Sequence, residues 1–571
     1  MGSDLDIARS ASLEDIEAVA WKLAIPADSL HLHGRHIAKV TWPAITERVD
    51  RPQGALVLVT SVNPTPFGEG KTVTTIGLTQ ALNRIGQSAT CVLREPSMGP
   101  VFGIKGGAAG GGKAQVLPME DINLHFTGDL HAVTSAHNLL SSMIDNHLKH
   151  GNAKRIDATR IGWPRVLDLN DRALRNVVVG LGGPANGSTR QDRFDITAAS
   201  EVMAILVLAR DYADLRRRLG EIVVASDLEG HPVRADDLGA AGAMALLLRH
   251  AFLPNLVQTI ENDPAFIHGG PFANIAHGNS SVIADRLALS CADIVVTEAG
   301  FGSDMGAEKF MHIKAPVGGK APDCVVMNVT VRSMKLHGGA FGDRGGRRPT
   351  TEELEREDVT AVQAGAKSNL DRHIRNMLGF GMPVVVSINR FTSDTEEELD
   401  ALADAARASG ASDVCITNVH GLGGEGGASL AKAVVRAVQD HIGAGRPFTP
   451  LFMPDAPVME KVTAIATRLY HAQGVEVAPA AARQLERFAS WGYGNLPVCM
   501  AKTQYSFSHD AGLLGAPEGF TLPVAEFRLN AGAGFIVAIL GNMMTMPGLP
   551  ARPAALDMDM NDDGVLQGLF G

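Results

Sequence analysis

The chain has 571 residues, 45% of them hydrophobic and 20% charged, with a formal net charge of -11 at pH 7. This length and composition predict a globular protein with a large core and more than one packed unit. The negative charge argues against a nucleic-acid partner, because a protein that binds the phosphate backbone needs a concentrated basic face.

The cysteines and the N-terminal segment point to a reducing compartment. Five cysteines are scattered singly and form no CxxC pair, so no zinc knuckle or disulfide framework is predicted. The N-terminal MGSDLDIARS is polar and acidic, unlike a signal peptide, and no apolar run reaches the length of a membrane span. We expect a cytoplasmic protein with no membrane partner.

Residues 55–86 are predicted to form a strand, a glycine-containing turn and a helix. Residues 55–59 are an apolar run rich in β-branched residues, which is typical of a buried strand. From Lys71 onward, apolar residues recur at helical spacing, and Gly86 occupies the position of a C-terminal cap.

The turn itself, TPFGEGKT, has the chemistry of a phosphate-binding loop. Backbone N–H groups at the helix start would point at the anion, Lys71 would reach the β- and γ-phosphates, and the Thr72 hydroxyl would hold Mg²⁺. Thr65 stands where the consensus has its first glycine. The alternative is a tight turn with a solvated lysine. The predicted nucleotide-binding residues are Thr65, Pro66, Phe67, Gly68, Glu69, Gly70, Lys71 and Thr72.

A second strand, ATCVL, leads into Arg94 and Glu95. Open α/β sheets bind ligands at the carboxyl edge of their strands, and an arginine there can grip a phosphate or carboxylate with two hydrogen bonds. Arg94 is therefore a candidate catalytic residue. A purely structural pair between Arg94 and Glu95 is the alternative.

Two unusual stretches follow this strand. GIKGGAAGGG is too rich in glycine for a packed helix and predicts a loop whose backbone approaches another group closely. In the next stretch, Glu120, Asp121, His125 and Asp129 could serve Mg²⁺ or proton transfer. Each of them alone is more often a helix cap or another satisfied polar residue.

The remaining chain predicts a discontinuous sheet. Residues 151–250 show alternating charge on helical stretches and are predicted to be a mostly helical insertion. Strand patterns resume afterwards, each running from β-branched residues into polar or glycine residues, as in a parallel sheet with a site along one edge. One of them ends at Glu298, a candidate for ordering magnesium.

The predicted fold class is α/β, with a P-loop NTPase-type parallel sheet flanked by helices. Residues 1–150 and 251–445 would form the nucleotide-binding domain, residues 151–250 the helical insertion, and residues 446–571 a smaller C-terminal α/β domain.

Several long strings resemble one family, formate–tetrahydrofolate ligase (formyltetrahydrofolate synthetase). Its two signatures are matched by GIKGGAAGGG followed by AQVLPMEDINLHFTGD, and by TVRSMKLHGG. The resemblance covers nearly the whole chain and extends through LREPSMGP, LDLNDRALRN, GLGGPANG, GPFANIAHG, VTEAGFGSDMGAEKF, GYGNLPVCMAKTQYSFS and MTMPGLP.

The resemblance implies an enzyme that uses ATP, formate and tetrahydrofolate to make 10-formyltetrahydrofolate, ADP and phosphate. Formate would first attack the γ-phosphate to give formyl phosphate, and the N10 amine of tetrahydrofolate would then take the formyl group. Lys71, Mg²⁺ and Arg94 would neutralise charge during phosphoryl transfer. Arg94 would hold formyl phosphate beside the loop, and His125 is a candidate for contacting the formyl group or moving a proton.

The family places the pterin ring of the folate between aromatic side chains. By this resemblance Phe301, Phe391 and His420 are the candidate folate contacts. His420 stands where the family usually has tryptophan. Further departures from the family pattern are Thr392 for proline, Lys113 for an aromatic residue, His33 and His36 for tyrosines, and Asn542 for aspartate.

Family members are typically homotetramers activated by K⁺ or NH₄⁺, and the resemblance implies the same here. Two alternatives remain open from the residues. One is a relative that forms an acyl phosphate but uses another carboxylate or amine acceptor. The other is a P-loop switch that binds nucleotide without turnover, although such a switch has no reason to keep Arg94, the glycine-rich loop and Phe391 together.

Overall fold

The computed structural model describes residues 3–48, 51–65, 68–104, 109–342, 349–541 and 543–569. These residues form an α/β structure whose largest element is a 12-stranded sheet. Within the same ranges, no helix combines the length and the apolar character that crossing a membrane requires.

Strands and helices alternate along most of the chain, with short 3₁₀ and π turns between them. The N-terminal elements are α1 (Asp4–Ser10), α2 (Ile16–Trp21), β1 (Leu30–Leu32), β2 (Ala38–Val40), α3 (Trp42–Thr46), β3 (Ala55–Ser61), α4 (Lys71–Arg84), β4 (Ala89–Leu93), α5 (Met98–Gly103), β5 (Gly110–Gly111), β6 (Ala114–Leu117), α6 (Met119–Asn123) and α7 (Asp129–Lys149). The next elements are β7 (Ile156–Ile161), β8 (Arg165–Leu167), β9 (Val177–Val179), β10 (Arg190–Asp192), β11 (Phe194–Ile196), α8 (Glu201–Leu208), α9 (Tyr212–Glu221), β12 (Val223–Asp227), β13 (Pro232–Arg234) and α10 (Ala241–Leu248).

The second half of the chain continues this alternation. It begins with β14 (Asn255–Thr259), β15 (Pro264–Ile267), α11 (Val282–Leu289), β16 (Ile294–Gly302), α12 (Ala315–Gly318), β17 (Cys324–Val329), α13 (Val331–His337), α14 (Thr351–Glu355), α15 (Val359–Gly365), α16 (Asp371–Gly379), β18 (Val384–Asn389), α17 (Glu396–Ala408), β19 (Asp413–Thr417), α18 (Val419–Leu422) and α19 (Ala428–Ala444). It ends with α20 (Val458–Ala464), β20 (Gly474–Val477), α21 (Pro479–Ser490), β21 (Val498–Ala501), β22 (Thr521–Asn530), β23 (Phe535–Leu540), β24 (Asp559–Met560) and β25 (Leu566–Gln567).

The large sheet takes strands from both sides of the 151–250 segment, in the order β1-β2-β14-β15-β4-β16-β3-β17-β18-β19, and β6 joins it through β14. From β15 to β19 every neighbouring pair is parallel. The carboxyl ends of β3, β4, β16, β17 and β18 therefore share one edge of the sheet, as the sequence predicted.

Strand β3 lies at the centre of this parallel region and is buried along its whole length. Leu56 and Leu58 pack into the core on one face of the sheet, whereas Val57 and Val59 pack into the core on the other. This alternation follows from the two-residue period of a strand. Helices on both faces explain why β3 is a continuous apolar run.

The predicted strand, turn and helix at the start of the chain are confirmed. Helix α4 begins at Lys71 and ends at Arg84, and it packs through Ile76, Leu78 and Leu82 against the sheet. Gly86 follows the helix with a φ of 86° and ends it as predicted, because glycine adopts this left-handed conformation without a steric penalty.

The secondary structure predicted for residues 151–250 is wrong. This segment holds three α-helices and seven short strands, so it is not mostly helical. The strands were missed because they are only three to six residues long, too short to show the alternation that identifies a strand. The C-terminal segment contains a separate four-stranded sheet, β20-β22-β23-β21. The proposed domain boundaries stay predictions.

Helices α13 and α15 approach each other through glycines. A Cβ atom added to Gly365 would lie 2.0 Å from the carbonyl oxygen of Met334, and one added to Gly338 would lie 1.9 Å from that of Ala361. Both distances are shorter than any real contact, so a side chain at either position forces the helices apart. Helix α13 carries the TVRSMKLHGG motif at the carboxyl end of β17.

We predict that Gly365→Ala lowers the free energy of unfolding by about 1–3 kcal/mol, because the added methyl group overpacks a helix contact that cannot relax locally. The measurement is urea unfolding followed by circular dichroism. Gly443→Ala is the matched control, since a Cβ atom on this glycine of α19 meets nothing within 4 Å. Equal unfolding midpoints for Gly365→Ala and the wild type would show that the close approach is not required.

Candidate functional site

The loop between β3 and α4 turns at two glycines. Gly68 and Gly70 have φ values of 77° and 71°, in the left-handed region that favours glycine. A Cβ atom on Gly70 would also lie 2.6 Å from Nδ2 of Asn389. Gly70 caps α4, so the first N–H groups of the helix open onto this loop. Pro66 and Phe67, two of the predicted nucleotide contacts, lie outside the described residues.

Glu69 stabilises the loop between β3 and α4 through hydrogen bonds. Its side chain is buried, and its Oε1 accepts a hydrogen bond from the backbone N–H of Thr65 at 2.9 Å. Its Oε2 accepts from the Thr330 hydroxyl at 2.9 Å, and its carbonyl oxygen accepts from the Asn328 side chain. The sequence suggested Glu69 only as a loop residue facing nucleotide, and the structure adds this structural role.

Lys71, Thr72, Arg94 and Glu298 come together at the carboxyl edge of β3, β4 and β16. The Thr72 hydroxyl donates to Oε2 of Glu298 at 2.7 Å. The other oxygen, Oε1, lies 3.4 Å from Nη2 of Arg94. Nζ of Lys71 lies 3.4 Å from the Ser61 hydroxyl at the end of β3. The carboxylate of Glu298 thus contacts both Thr72, at the start of α4, and Arg94, after β4.

The pKa of Lys71 is lowered from its usual range. Burial of the ammonium group is the largest cause, the charge of Glu298 opposes it, and the charge of Arg94 adds to it. A group with these surroundings gains from a further negative charge nearby. The environment of Lys71 therefore suits an anionic ligand.

Arg94 is contacted by the segment that follows β15 and by β16 itself. Its Nη1 lies 3.4 Å from the carbonyl oxygen of Pro271, and a Cβ atom on Gly300 would lie 2.9 Å from the same nitrogen. Its ion pair is with Glu298 and not with the adjacent Glu95, so the structural alternative raised for Arg94 and Glu95 does not describe its contacts. Its buried Nε has no hydrogen-bond partner among the described residues.

Phe301 lies on a bulge of β16. The pairing of β16 with β3 shifts register between Glu298 and Gly302, and Phe301 has a φ of 58°, which is rare for a bulky residue. Its carbonyl oxygen accepts from the Ser61 hydroxyl at 3.1 Å. Such bulges re-aim side chains near active sites, and this one brings Phe301 to the hydroxyl that Lys71 contacts.

Phe391 follows β18 and is covered on one face. The guanidinium carbon of Arg332 lies 4.0 Å from its ring centroid, a cation–π arrangement. The backbone N–H of Phe391 donates to Asp394 at 2.8 Å. Arg332 thus occupies one face of the ring. This arginine of the TVRSMKLHGG motif was not singled out from sequence as a neighbour of Phe391.

His420 packs against the glycine-rich loop and the first helix. Its carbonyl oxygen accepts from the backbone N–H of Lys113 at 2.8 Å, and a Cβ atom on Gly112 would lie 2.8 Å from its ring. Nε2 lies 3.6 Å from Asp4. The hydrogen bond to Asp4 raises the pKa of His420, and burial opposes this rise. Two of the departures from the family pattern, Lys113 and His420, are therefore neighbours.

The other predicted histidines lie elsewhere. His125 is exposed in the turn between α6 and α7, where its carbonyl oxygen accepts from Gly128. Within the described part of the chain, its side chain makes none of the contacts that join Lys71, Arg94 and Glu298. His33 and His36 lie at the β1–β2 hairpin, where Nδ1 of His36 contacts the carbonyl oxygen of Glu14.

A buried polar network that sequence reasoning missed adjoins the loop. The side-chain amide of Asn63, two residues after β3, donates to Asp304 at 3.1 Å. Asp304 in turn forms an ion pair with Lys502 at 2.5 Å, and both side chains are completely buried. The backbone N–H of Asn63 donates to Nε2 of His373 at 3.1 Å. Burial lowers the pKa of His373 to about 3, which keeps this histidine neutral and able to accept.

The same network ties the loop to the C-terminal part of the chain. The Asn63 side chain also donates to the carbonyl oxygen of Gln504 at 3.2 Å. Nε2 of His337 lies 3.1 Å from the Asn63 carbonyl oxygen, and the N–H of Gly515 donates to Nδ1 of His337 at 3.1 Å. The start of the loop between β3 and α4 is thus held by residues from the C-terminal part of the chain.

We predict that Asp304→Asn lowers the free energy of unfolding by about 3–5 kcal/mol, because it leaves the buried ammonium of Lys502 without a counter-charge. Asp404→Asn is the control. It removes the same charge from an exposed pair with Arg407 and should change stability by less than about 0.5 kcal/mol. Guanidinium-chloride unfolding measures both, and similar values for the two variants would contradict the role given to the pair.

Metal binding by protein side chains alone has no support in the described ranges, where no group of three or more His, Cys, Asp or Glu residues could hold an ion. Thr72 and Glu298 are nevertheless oxygen donors in direct contact. Mg²⁺ in nucleotide sites takes one or two protein oxygens and completes its shell with phosphate and water. These two residues fit that pattern.

Known proteins resemble this chain over its whole length. The model of the family described as formate–tetrahydrofolate ligase matches residues 2–570. Proteins named formate–tetrahydrofolate ligase from Maricaulis maris and Paracoccus denitrificans are each 55% identical over 570 residues, covering 100% of both chains. One from Dinoroseobacter shibae is 54% identical over 568 residues, again covering 100% of both chains. The chain therefore belongs to the formate–tetrahydrofolate ligase family.

Proposed function

We propose that this protein is an ATP-dependent ligase that joins formate to tetrahydrofolate through formyl phosphate. The products are 10-formyltetrahydrofolate, ADP and phosphate. The observation that carries the proposal is the shared carboxylate of Glu298, which holds Thr72 of the loop and Arg94 beside Lys71. Full-length likeness to ligases of this name supports the standard acceptor and does not favour another one.

ATP would bind along residues 65–72, with its phosphates at the start of α4 and Lys71 against the terminal phosphates. The negative charge of the phosphates offsets the burial of the Lys71 ammonium and the repulsion from Arg94. Thr72 and Glu298 are the residues that would hold Mg²⁺, which neutralises phosphate charge when bound. The parallel sheet with this loop at its carboxyl edge supports a P-loop NTPase-type nucleotide-binding domain.

In the first step a formate oxygen attacks the γ-phosphorus, and the bond from that phosphorus to the bridging oxygen of ADP breaks. Lys71 and Arg94 stabilise the charge that spreads over the transferred phosphoryl oxygens. In the second step the N10 amine attacks the formyl carbon, phosphate leaves with the carbon–oxygen bond electrons, and N10 loses its proton. Arg94 would hold formyl phosphate between these steps, since a guanidinium binds such an anion with two hydrogen bonds.

The pterin would stack on the face of Phe391 that Arg332 leaves open. Phe301 and His420 remain the other proposed folate contacts, and His125 remains a proposed contact to the formyl group or a proton carrier. Activation by K⁺ or NH₄⁺, assembly into a homotetramer, a cytoplasmic location and the domain boundaries at residues 150, 250 and 445 are proposed on the family likeness.

We predict that Lys71→Ala abolishes formate- and tetrahydrofolate-dependent ADP release without changing the fold, because the variant loses the charge that neutralises the transferred phosphate. ADP release is measured with formate alone, with tetrahydrofolate alone and with both. Lys432→Ala, at an exposed position on α19, is the control and should behave as the wild type. A near wild-type kcat for Lys71→Ala would remove Lys71 from the mechanism, and ADP release that needs neither substrate would contradict the ligase.

We also predict that His420→Trp lowers the KM for tetrahydrofolate, because a larger aromatic face replaces a small, titratable ring. Steady-state kinetics at saturating ATP and formate measure the effect. His231→Trp, at an exposed turn, is the control and should leave the KM unchanged. An unchanged or raised KM for His420→Trp would mean that position 420 does not contact the pterin.

A further inference from the structure

A cavity of about 220 Å³ lies between the 151–250 segment and the C-terminal sheet, away from the loop. Its walls come from β7, β12, α21, β22 and β23. None of Lys71, Thr72, Arg94 and Glu298 lines it. Ile275 at its margin belongs to the same connecting segment as Pro271, whose carbonyl oxygen contacts Arg94. The cavity is therefore separate from the site described above but lies one segment away from it.

The walls of this cavity carry an excess of positive charge, although the protein as a whole is acidic. Two wall carboxylates are already paired, Asp195 with one arginine at 3.5 Å and Glu526 with another at 3.1 Å. The third, Glu201, is buried and accepts from the N–H of Gly532 at 2.7 Å. Its burial raises its pKa to about 8, so it is mostly protonated at neutral pH. The arginines are Arg160, Arg193, Arg487 and Arg528.

Of these four arginines, Arg487 has the least negative charge nearby to balance its own charge. Within the described ranges it has no carboxylate within ion-pair distance, and its guanidinium carbon lies 5.4 Å from the ring centroid of Trp491. Burial and the nearby charge of Arg160 lower its pKa. Among the described residues, the exposed Arg160 has one ion-pair partner, the partly buried Asp157, at 3.2 Å. Two guanidinium groups that repel each other across a cavity are stabilised by an anion between them.

The N–H donors of the other two arginines also favour an anionic ligand in the cavity. In the described part of the chain, the buried Nε of Arg528 has no hydrogen-bond partner, and the buried Nε of Arg193 has only the ion-pair contact with Asp195 at 3.5 Å. Trp163, Phe488 and Trp491 give the cavity apolar surface beside these groups. Guanidinium groups match carboxylate and phosphate oxygens in pairs, and they bind such groups most strongly where water is partly excluded.

We propose that this cavity binds a small polyanion, a molecule that carries two or more carboxylate or phosphate groups. Arg160 and Arg487 bind one acidic group, and the partly free Arg193 and Arg528 bind a second. The volume admits a molecule of metabolite size. The inference does not depend on the ligase activity, because no residue of the cavity takes part in the proposed reaction.

The test is isothermal titration calorimetry of the full chain with citrate, with pyrophosphate and with acetate, at constant ionic strength and without divalent metals. Citrate or pyrophosphate should bind more tightly than acetate, and the tighter of the two identifies the preferred acidic group. Arg487→Gln and Arg160→Gln should each weaken this binding about tenfold, since each removes a charge-assisted hydrogen bond. Arg407→Gln, at an exposed arginine of α17, is the control and should leave binding unchanged.

The Lys71→Ala variant distinguishes binding in this cavity from binding at the loop between β3 and α4. Binding that persists in Lys71→Ala and is weakened in Arg487→Gln supports the proposal. Binding that is lost in Lys71→Ala and kept in Arg487→Gln belongs to the loop and overturns it, as does the absence of binding by both polyanions or equal binding by acetate. Circular dichroism checks the fold of each variant, and if Arg487→Gln is unfolded, Arg160→Gln decides the outcome.

Discussion

A buried carboxylate shared between two donors determines the geometry of the candidate site. Glu298 is almost inaccessible to solvent, and a carboxylate in the interior is stable only when its oxygens are paired. One oxygen is occupied by Thr72 and the other faces Arg94. Since these residues follow β3 and β4, and Glu298 lies on β16 between those strands, the spacing from the loop to the arginine is fixed by one side chain and by strand register.

Much of this arrangement is readable from the sequence. The buried strand, the loop and the helix from Lys71 have strong local signals, because the hydrophobic period changes from two residues to 3.6 at a glycine-containing turn. Arg94 and Glu298 were placed at the same sheet edge because each follows an apolar run, and the parallel pairing of their strands brings them together. The family likeness supplied the reaction, which no local pattern could supply.

The parts that sequence could not supply depend on contacts between distant residues. Asp304 and Lys502 look like ordinary surface charges in the sequence, and only the fold reveals that they form one buried pair. Glu69 was read as a loop residue, yet its side chain points at Thr330. The strands of residues 151–250 are mostly three residues long, so their alternation is too short to recognise in the sequence. In each case long-range packing overrides the local signal.

The attachment of Asn63 to the far end of the chain has a consequence for biosynthesis. Its side chain donates to the carbonyl oxygen of Gln504, which is 441 positions later, and its carbonyl oxygen is held through His337 by Gly515. A ribosome adds residues from the N-terminus, so β3 and α4 emerge long before these partners exist. The nascent polypeptide can therefore assemble its central strands early, but the contacts that hold the loop between β3 and α4 form only when translation is nearly complete.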